Sequence, residues 1–297
     1  MKKTLVMMTA AVMVAGALAG CGSSSSTPAA TTAAATEAAT TAAATEAATT
    51  EAAGDTAAAA EGTVKTPSGK FTVGFDQEFP PMGFVGDDGQ FTGFDLELAK
   101  EVASRLGLEF VPQPINWDAK DMELDSGNID CIWNGFTMQG REDDYTWVGP
   151  YMANNQVFVV TADSDIASKA DLAGKAVEVQ KDSSGLAALQ GEAELSASFG
   201  SMTEVADYNT ALMDLESGAC DAVCMDSIVA GYQIKSSGKD MKILDDTLSA
   251  EEYGIGFKKG EDELAKAVHD TLMDMKDDGT VAKISNDWFG SDVFTLK

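Results

Sequence analysis

Two stretches of the chain carry the same spacing of polar groups: LDSGNIDCIWNG at 124–135 and LESGACDAVCMD at 215–226. Each reads Leu, an acid, Ser, Gly, two variable residues, Asp and then an apolar run. One run ends at Asn134-Gly135, the other at Asp226. A helix closed by Gly and followed by a strand opened by Asp accounts for the unit. In open parallel sheets, ligands bind beyond the carboxyl ends of strands. Asn134, Gly135 and Asp226 are therefore placed to offer hydrogen bonds and a negative charge to a small molecule. Catalysis has less to work with. There is no Ser-His-Asp set, no Cys/His spacing for a metal and no phosphate loop, and the single histidine, His269, falls outside the apolar stripe of its helix. Carboxylates alone remain for acid–base work, and no cofactor is implied.

The elements around these groups alternate. KFTVGF (70–75) reads as a strand, and FDLELAKEVASRLG (94–107) as a helix with apolar residues at helical spacing and a stop at Gly107. EFVPQPI (109–115) is a strand, DAKDMELDSG a short helix and IDCIWN a strand. A second series repeats the order: strands at NQVFVVTA (155–162) and AVEVQ (176–180), a helix from SSGLAALQ, a helix at DYNTALMDLESG, a strand at CDAVCM and a helix at DSIVAGYQIKSSG. EEYGIGFKKG (251–260) is a strand, followed by helices at 262–279 and 281–290. This pattern predicts an α/β fold of two lobes, each a mostly parallel sheet covered by helices. Lobe 1 is expected at 64–157 and 252–297 and lobe 2 at 158–251, with crossover strands near 155–161 and 248–254. The equivalent strand ends would then line one cleft between the lobes.

The N-terminus points to export. A basic Met1-Lys2-Lys3 precedes TLVMMTAAVMVAGA (4–17), an apolar run of 14 residues. A spanning helix needs about 20, so the run fits a signal-peptide core. LAGC (18–21) resembles a bacterial lipobox, which makes 1–20 a signal peptide and Cys21 a lipidation site. Residues 21–63 then form an Ala/Thr/Glu-rich tether, too poor in apolar side chains to fold. The chain would be held to the outer face of the cell membrane by a lipid anchor. With 20 Lys+Arg against 48 Asp+Glu, nucleic acid and anionic lipid are poor partners. Cys131, Cys220 and Cys224 read as buried thiols; Cys220 and Cys224 sit roughly 13 Å apart along a strand, too far to pair.

These residues resemble the extracellular solute-binding proteins of the polar amino acid class, family 3. The resemblance runs through about 66–290. It is carried in order by FPPMGF (79–84), GFDLELAKEVASRLG (93–107), LDSGNIDCIWNGFTM (124–138) with Arg141, DLAGKAVEVQKDSSG (171–185), SGACDAVCMD (217–226) and GIGFKKG through WFG (254–290). It implies a two-lobed, type II periplasmic-binding-protein fold. It further implies a monomeric receptor that delivers a free amino acid to the membrane subunits of an ABC importer.

By the same resemblance Arg141 and Thr137 would hold the ligand carboxylate, although the Thr–Arg spacing here is one residue shorter than in the family. Gly140 could absorb the difference by a tight turn; the alternative is a surface ion pair of Arg141 with Glu142 or Asp143. Ser183 and Ser184 would add hydroxyls and backbone N–H groups or simply cap a helix. Asp182 stands where the family has Gly. Asp226, with the Gly135 carbonyl, would take the ammonium; its alternative is again a cap. Phe79 and Trp117 would stack on the ligand, Trp133 could stack or pack, and Asp76 would hold a polar side chain. Asp95 is expected to cap its helix. A cyclohexadienyl or arogenate dehydratase on the same fold is the alternative function, testable with prephenate or arogenate.

Overall fold

The structure, a computed structural model, describes Thr66 and residues 68–297. The signal-peptide and lipobox readings, Cys21 and the 21–63 tether lie outside the described residues. Among these residues no helix is long and apolar enough to cross a membrane.

The first series forms strand β1 (Lys70–Phe75), the short strands β2 (Glu78–Phe79), β3 (Gly83–Val85) and β4 (Phe91–Thr92), helix α1 (Phe94–Leu106), strand β5 (Glu109–Pro114), helix α2 (Lys120–Asp125) and strand β6 (Cys131–Thr137). Helix α1 ends as its sequence predicts: Gly107 is left-handed, with φ 70°, and its N–H returns to Ala103 and Ser104. A 17-residue strand, β7 (Tyr145–Thr161), then leaves this group. The second series follows as β8 (Ala176–Gln180), α3 (Ser184–Gly191), α4 (Ala193–Ser198), β9 (Ser201–Val205), α5 (Tyr208–Ser217), β10 (Ala222–Asp226), α6 (Ser227–Ser237) and β11 (Met241–Ile243). Strand β12 (Ser249–Lys258) returns to the first group, and helices α7 (Asp262–Asp277) and α8 (Thr280–Phe289) pack there.

The strand order is β5-β1-β6-β12-β7-β10-β8-β9, with β11 also on β7. Pairs β1/β5, β1/β6, β8/β10 and β8/β9 are parallel. The long strand β7 joins the two halves: it pairs with β12 from Tyr145 to Gln156, with β10 from Gln156 to Val159 and with β11 from Val159 to Thr161. The chain therefore crosses between two α/β lobes on β7 and returns on β12. The first lobe has an apolar cluster of Leu124, Ile129, Ile132, Phe136 and Tyr145. The second has one built from Phe158, Leu172, Val177, Leu186 and Cys224. Cys131, Cys220 and Cys224 are free and buried.

The repeated sequence unit has a repeated structure. Gly127 and Gly218 both take positive φ, 75° and 78°, where each ends its helix. The two aspartates then clasp the neighbouring parallel strand in the same way. Asp130 accepts the Thr72 N–H at 2.6 Å and Asp221 accepts the Ala176 N–H at 2.8 Å. Each also donates its own N–H to the same residue's carbonyl. The unit thus sets the register of β6 on β1 and of β10 on β8. Both strands deliver their last residues to the same side of the molecule.

Candidate functional site

At these strand ends a small cavity is lined by Phe79, Trp117, Gly135, Thr137, Arg141, Gln180, Ser183, Ser184 and Asp226. Residues up to Arg141 come from the first lobe and the rest from the second. The lobes are in contact around it. Thr137 Oγ1 donates to Ser184 Oγ at 3.2 Å, and Gln180 Nε2 donates to Asp76 Oδ2 at 2.7 Å. Asn209 donates to Glu78, and Phe79 packs on Tyr208 with ring centroids 5.9 Å apart.

Arg141 reaches the cavity from the shortened loop. Gly140 has φ +80°, and the Arg141 N–H closes a turn onto the Met138 carbonyl at 3.0 Å. The guanidinium lies 5.1 Å from the Phe136 ring and donates to the carbonyls of Thr137, at 3.1 Å, and Asp182, at 3.4 Å. It has no carboxylate partner among the described residues, so the surface pair with Glu142 or Asp143 is not formed. Ser183 caps α3 by accepting the Leu186 N–H at 3.1 Å, and Ser184 Oγ is left to face Thr137 and Gln156.

Asp226 ends β10 and is almost completely buried. Its carboxylate caps no helix. Instead Oδ1 accepts from Asn154 Nδ2 at 2.6 Å and Tyr253 Oη at 2.7 Å, both from the crossover strands. Burial, and then the nearby Glu251 carboxylate, push its pKa up to about 7 against those hydrogen bonds. Glu251 is itself buried and shares Asn154 Nδ2 at 3.3 Å. The cavity thus has a cation at one side and an acid without a cation at the other.

Two predicted site residues lie behind the lining. Asp76 has both oxygens engaged, by the Glu78 N–H at 2.9 Å and by Gln180; burial raises its pKa to about 6. Asn134 Oδ1 accepts the Asp76 N–H at 3.0 Å, tying the β6 strand end to the loop that carries Phe79. Trp133 is fully buried and packs on Tyr151, away from the cavity. Gly135 is confined to glycine: φ is +57°, and a Cβ would lie 3.0 Å from the Phe79 ring and 3.1 Å from Tyr253.

Asp95 corrects an expectation. The residue before α1 is Gly93, and no side chain caps that helix. The fully buried Asp95 carboxylate instead accepts the Gly135 N–H at 2.7 Å and Tyr151 Oη at 2.8 Å, fixing the cavity floor. Burial lifts its pKa to about 7. Between pH 4 and 7 the folded chain keeps a proton there that the unfolded chain has lost, so stability falls as pH rises through that window. Asp95→Asn keeps an acceptor without the charge. It is expected to raise Tm at pH 8 more than at pH 5, by differential scanning calorimetry.

The sequence reading missed Gln180, Lys120, Asn154, Glu251 and Tyr253. Gln180 was the legible one, since it is the last residue of a predicted strand and ends beside Asp226 in the sheet order.

The geometry has counterparts. Residues 71–291 match the bacterial extracellular solute-binding proteins, family 3. The chain belongs to this family. It is 32% identical to the L-cystine-binding protein TcyJ of Escherichia coli (strain K12) over 231 residues, 76% of this chain and 84% of the relative. A histidine-bound substrate-binding protein of an ABC uptake transporter from Streptococcus pneumoniae superimposes with TM-score 0.74 and 34% identity, over 77% of this chain and 95% of that one. An ancestral arginine-binding protein bound to arginine gives TM-score 0.70 and 36% identity over 75% and 99%. As a family 3 protein the chain is an extracytoplasmic solute-binding protein of the two-lobed type II fold.

Proposed function

We propose that this family 3 protein binds a free amino acid in the cavity between its lobes and delivers it to an ABC importer. One observation carries the reading: Arg141 and Asp226 line the same cavity from opposite lobes, and neither has an oppositely charged partner among the described residues. A zwitterion supplies both missing charges. Its carboxylate meets the planar guanidinium, with Thr137, Ser183 and Ser184 as further donors. Its ammonium meets Asp226 and the Gly135 carbonyl, and Phe79 and Trp117 flank its side chain. Asp76 and Asn134 act from behind, through the loop that holds Phe79. Ligand binding shifts the lobes toward the closed arrangement. The relatives matched are binding proteins, which supports a receptor over the dehydratase alternative. Cys21 and the 21–63 segment would tether the receptor, a monomer, to the membrane.

Beside the cavity a larger groove of about 840 Å³ is lined by Asp76, Glu78, Asp118, Glu123, Glu204 and Asp207 against Lys181 alone. This field disfavours an anionic side chain. In a thermal-shift screen of the twenty amino acids with ornithine, citrulline and cystine, at least one neutral or cationic amino acid is expected to raise Tm. Aspartate and glutamate are expected to leave it unchanged. A screen in which no amino acid shifts Tm would reject the reading.

A further inference from the structure

We propose that Lys120 and Asp182 form an interlobe ion pair that holds the jaws shut and thereby sets the lifetime of the bound amino acid, an inference that rests on the reading of the cleft given above. Lys120 opens helix α2 in the first lobe and is 2% exposed, a rare state for a lysine. Its ammonium has partners on one residue of the second lobe: the Asp182 carboxylate, and the Asp182 carbonyl at 3.5 Å. It also lies 5.3 Å from the Trp117 ring centroid, at the cavity wall. Closing the cleft brings this buried ammonium onto Asp182, its one ion-pair partner among the described residues, with the Asp118 carboxylate of its own lobe acting on it only at longer range.

The backbone at Asp182 points the same way. It is the one non-glycine residue with positive φ among those described, at +56°. Glycine would take this conformation without strain, and asparagine with little. Glycine, however, could not reach Lys120. The Asp182 carbonyl also accepts from Arg141 Nη2 at 3.4 Å, so the same residue links the buried lysine to the guanidinium proposed to anchor the carboxylate. The Lys70–Glu109 pair within the first lobe, at 3.3 Å, has both side chains substantially exposed and serves as a control for surface charge.

The partners should respond unequally. Asp182→Gly strands Lys120 as a buried unpaired cation in the closed state, whereas Lys120→Met leaves a half-exposed carboxylate that water can solvate. Dissociation is measured by stopped flow on the full-length protein, with L-arginine, L-histidine and L-cystine as probes. For each probe that binds wild type, Asp182→Gly and Asp182→Asn are expected to speed dissociation about tenfold with association nearly unchanged. Lys120→Met has the smaller effect, and adding it to Asp182→Gly restores part of the loss. Ligand-free Tm in both Asp182 variants stays within about 2 °C of wild type, which a merely structural role would not allow. Glu109→Gln changes little. Dissociation within twofold of wild type in both Asp182 variants, or no recovery in the double variant, overturns the proposal. If none of the probes binds wild type, the pair is judged by energy transfer between labels at Lys100→Cys and Glu194→Cys on the ligand-free protein. Fewer closed molecules in Asp182→Gly support it, and equal distributions overturn it. Failure of the amino-acid reading appears separately, as a negative screen of all the amino acids on wild type.

Discussion

Arg141→Ala abolishes the rise in Tm that a saturating amino acid gives the wild-type protein, while the ligand-free Tm stays within about 2 °C of wild type. The asymmetry follows from what Arg141 touches. Its guanidinium makes hydrogen bonds to two carbonyls and lies over Phe136, in a half-exposed position where such contacts contribute little. In the proposed complex it faces a carboxylate in a cavity from which water is excluded. Removing one partner of a buried pair costs about 3–5 kcal/mol, or more than about a hundredfold in affinity. Arg141→Lys keeps the charge but loses the two-pronged geometry, so an intermediate loss is expected. Isothermal titration of wild type and both variants checks this. Equal affinities in wild type and Arg141→Ala would mean that the shortened Thr137–Arg141 loop no longer supplies the anchor.

Asp226 gives the second large effect, as a pH dependence. Its pKa is raised to about 7 by burial and by Glu251. A bound ammonium favours the ionised carboxylate and lowers that pKa. Below pH 7 binding must therefore expel a proton, and affinity falls by up to about tenfold per pH unit. Above pH 7 the carboxylate is already ionised, and affinity is flat until the ligand ammonium itself titrates. Asp226→Asn keeps acceptors for Asn154 and Tyr253 but carries no charge. It is expected to bind weakly and without this pH dependence. Dissociation constants measured from pH 5 to 8 decide it; a flat wild-type profile contradicts the assignment of Asp226 as the counter-ion.

Without ligand the same protonation acts on folding. Asp226 holds a proton in the folded chain between pH 4 and 7 that the unfolded chain has released. Like Asp95, it lowers stability as pH rises through this window.

The parts of the fold that were legible in the sequence are those written in local spacing. The Gly127 and Gly218 helix ends, and the aspartates three residues after each, are short-range signals, and they set the register of two strands. From that register the meeting of Gly135 and Asp226 follows. The shortened loop could also be read, because a glycine next to Arg141 permits the turn that is found. The three short strands Glu78–Phe79, Gly83–Val85 and Phe91–Thr92 are too brief for any periodicity to show. Lys120 sits among Asp118, Asp121 and Glu123 in what reads as a solvated helix. Its ion-pair partner, Asp182, comes from the second lobe, some sixty residues away in the chain. Asn154 and Glu251 are paired residues on the two crossover strands, and only that pairing explains two polar side chains inside the closed hinge. Asp95 misled because an acid at a helix start usually caps it. Here a glycine enters the helix, and the acid turns inward to hold Gly135.

The most direct test is a crystal structure of the protein grown with a saturating amino acid identified by the thermal-shift screen. Cation and anion from facing lobes should grip the two ends of that molecule, its carboxylate within hydrogen-bonding distance of the Arg141 guanidinium and its ammonium within the same reach of Asp226. A solute seated elsewhere, or held in this cavity with neither end on those side chains, would contradict the account.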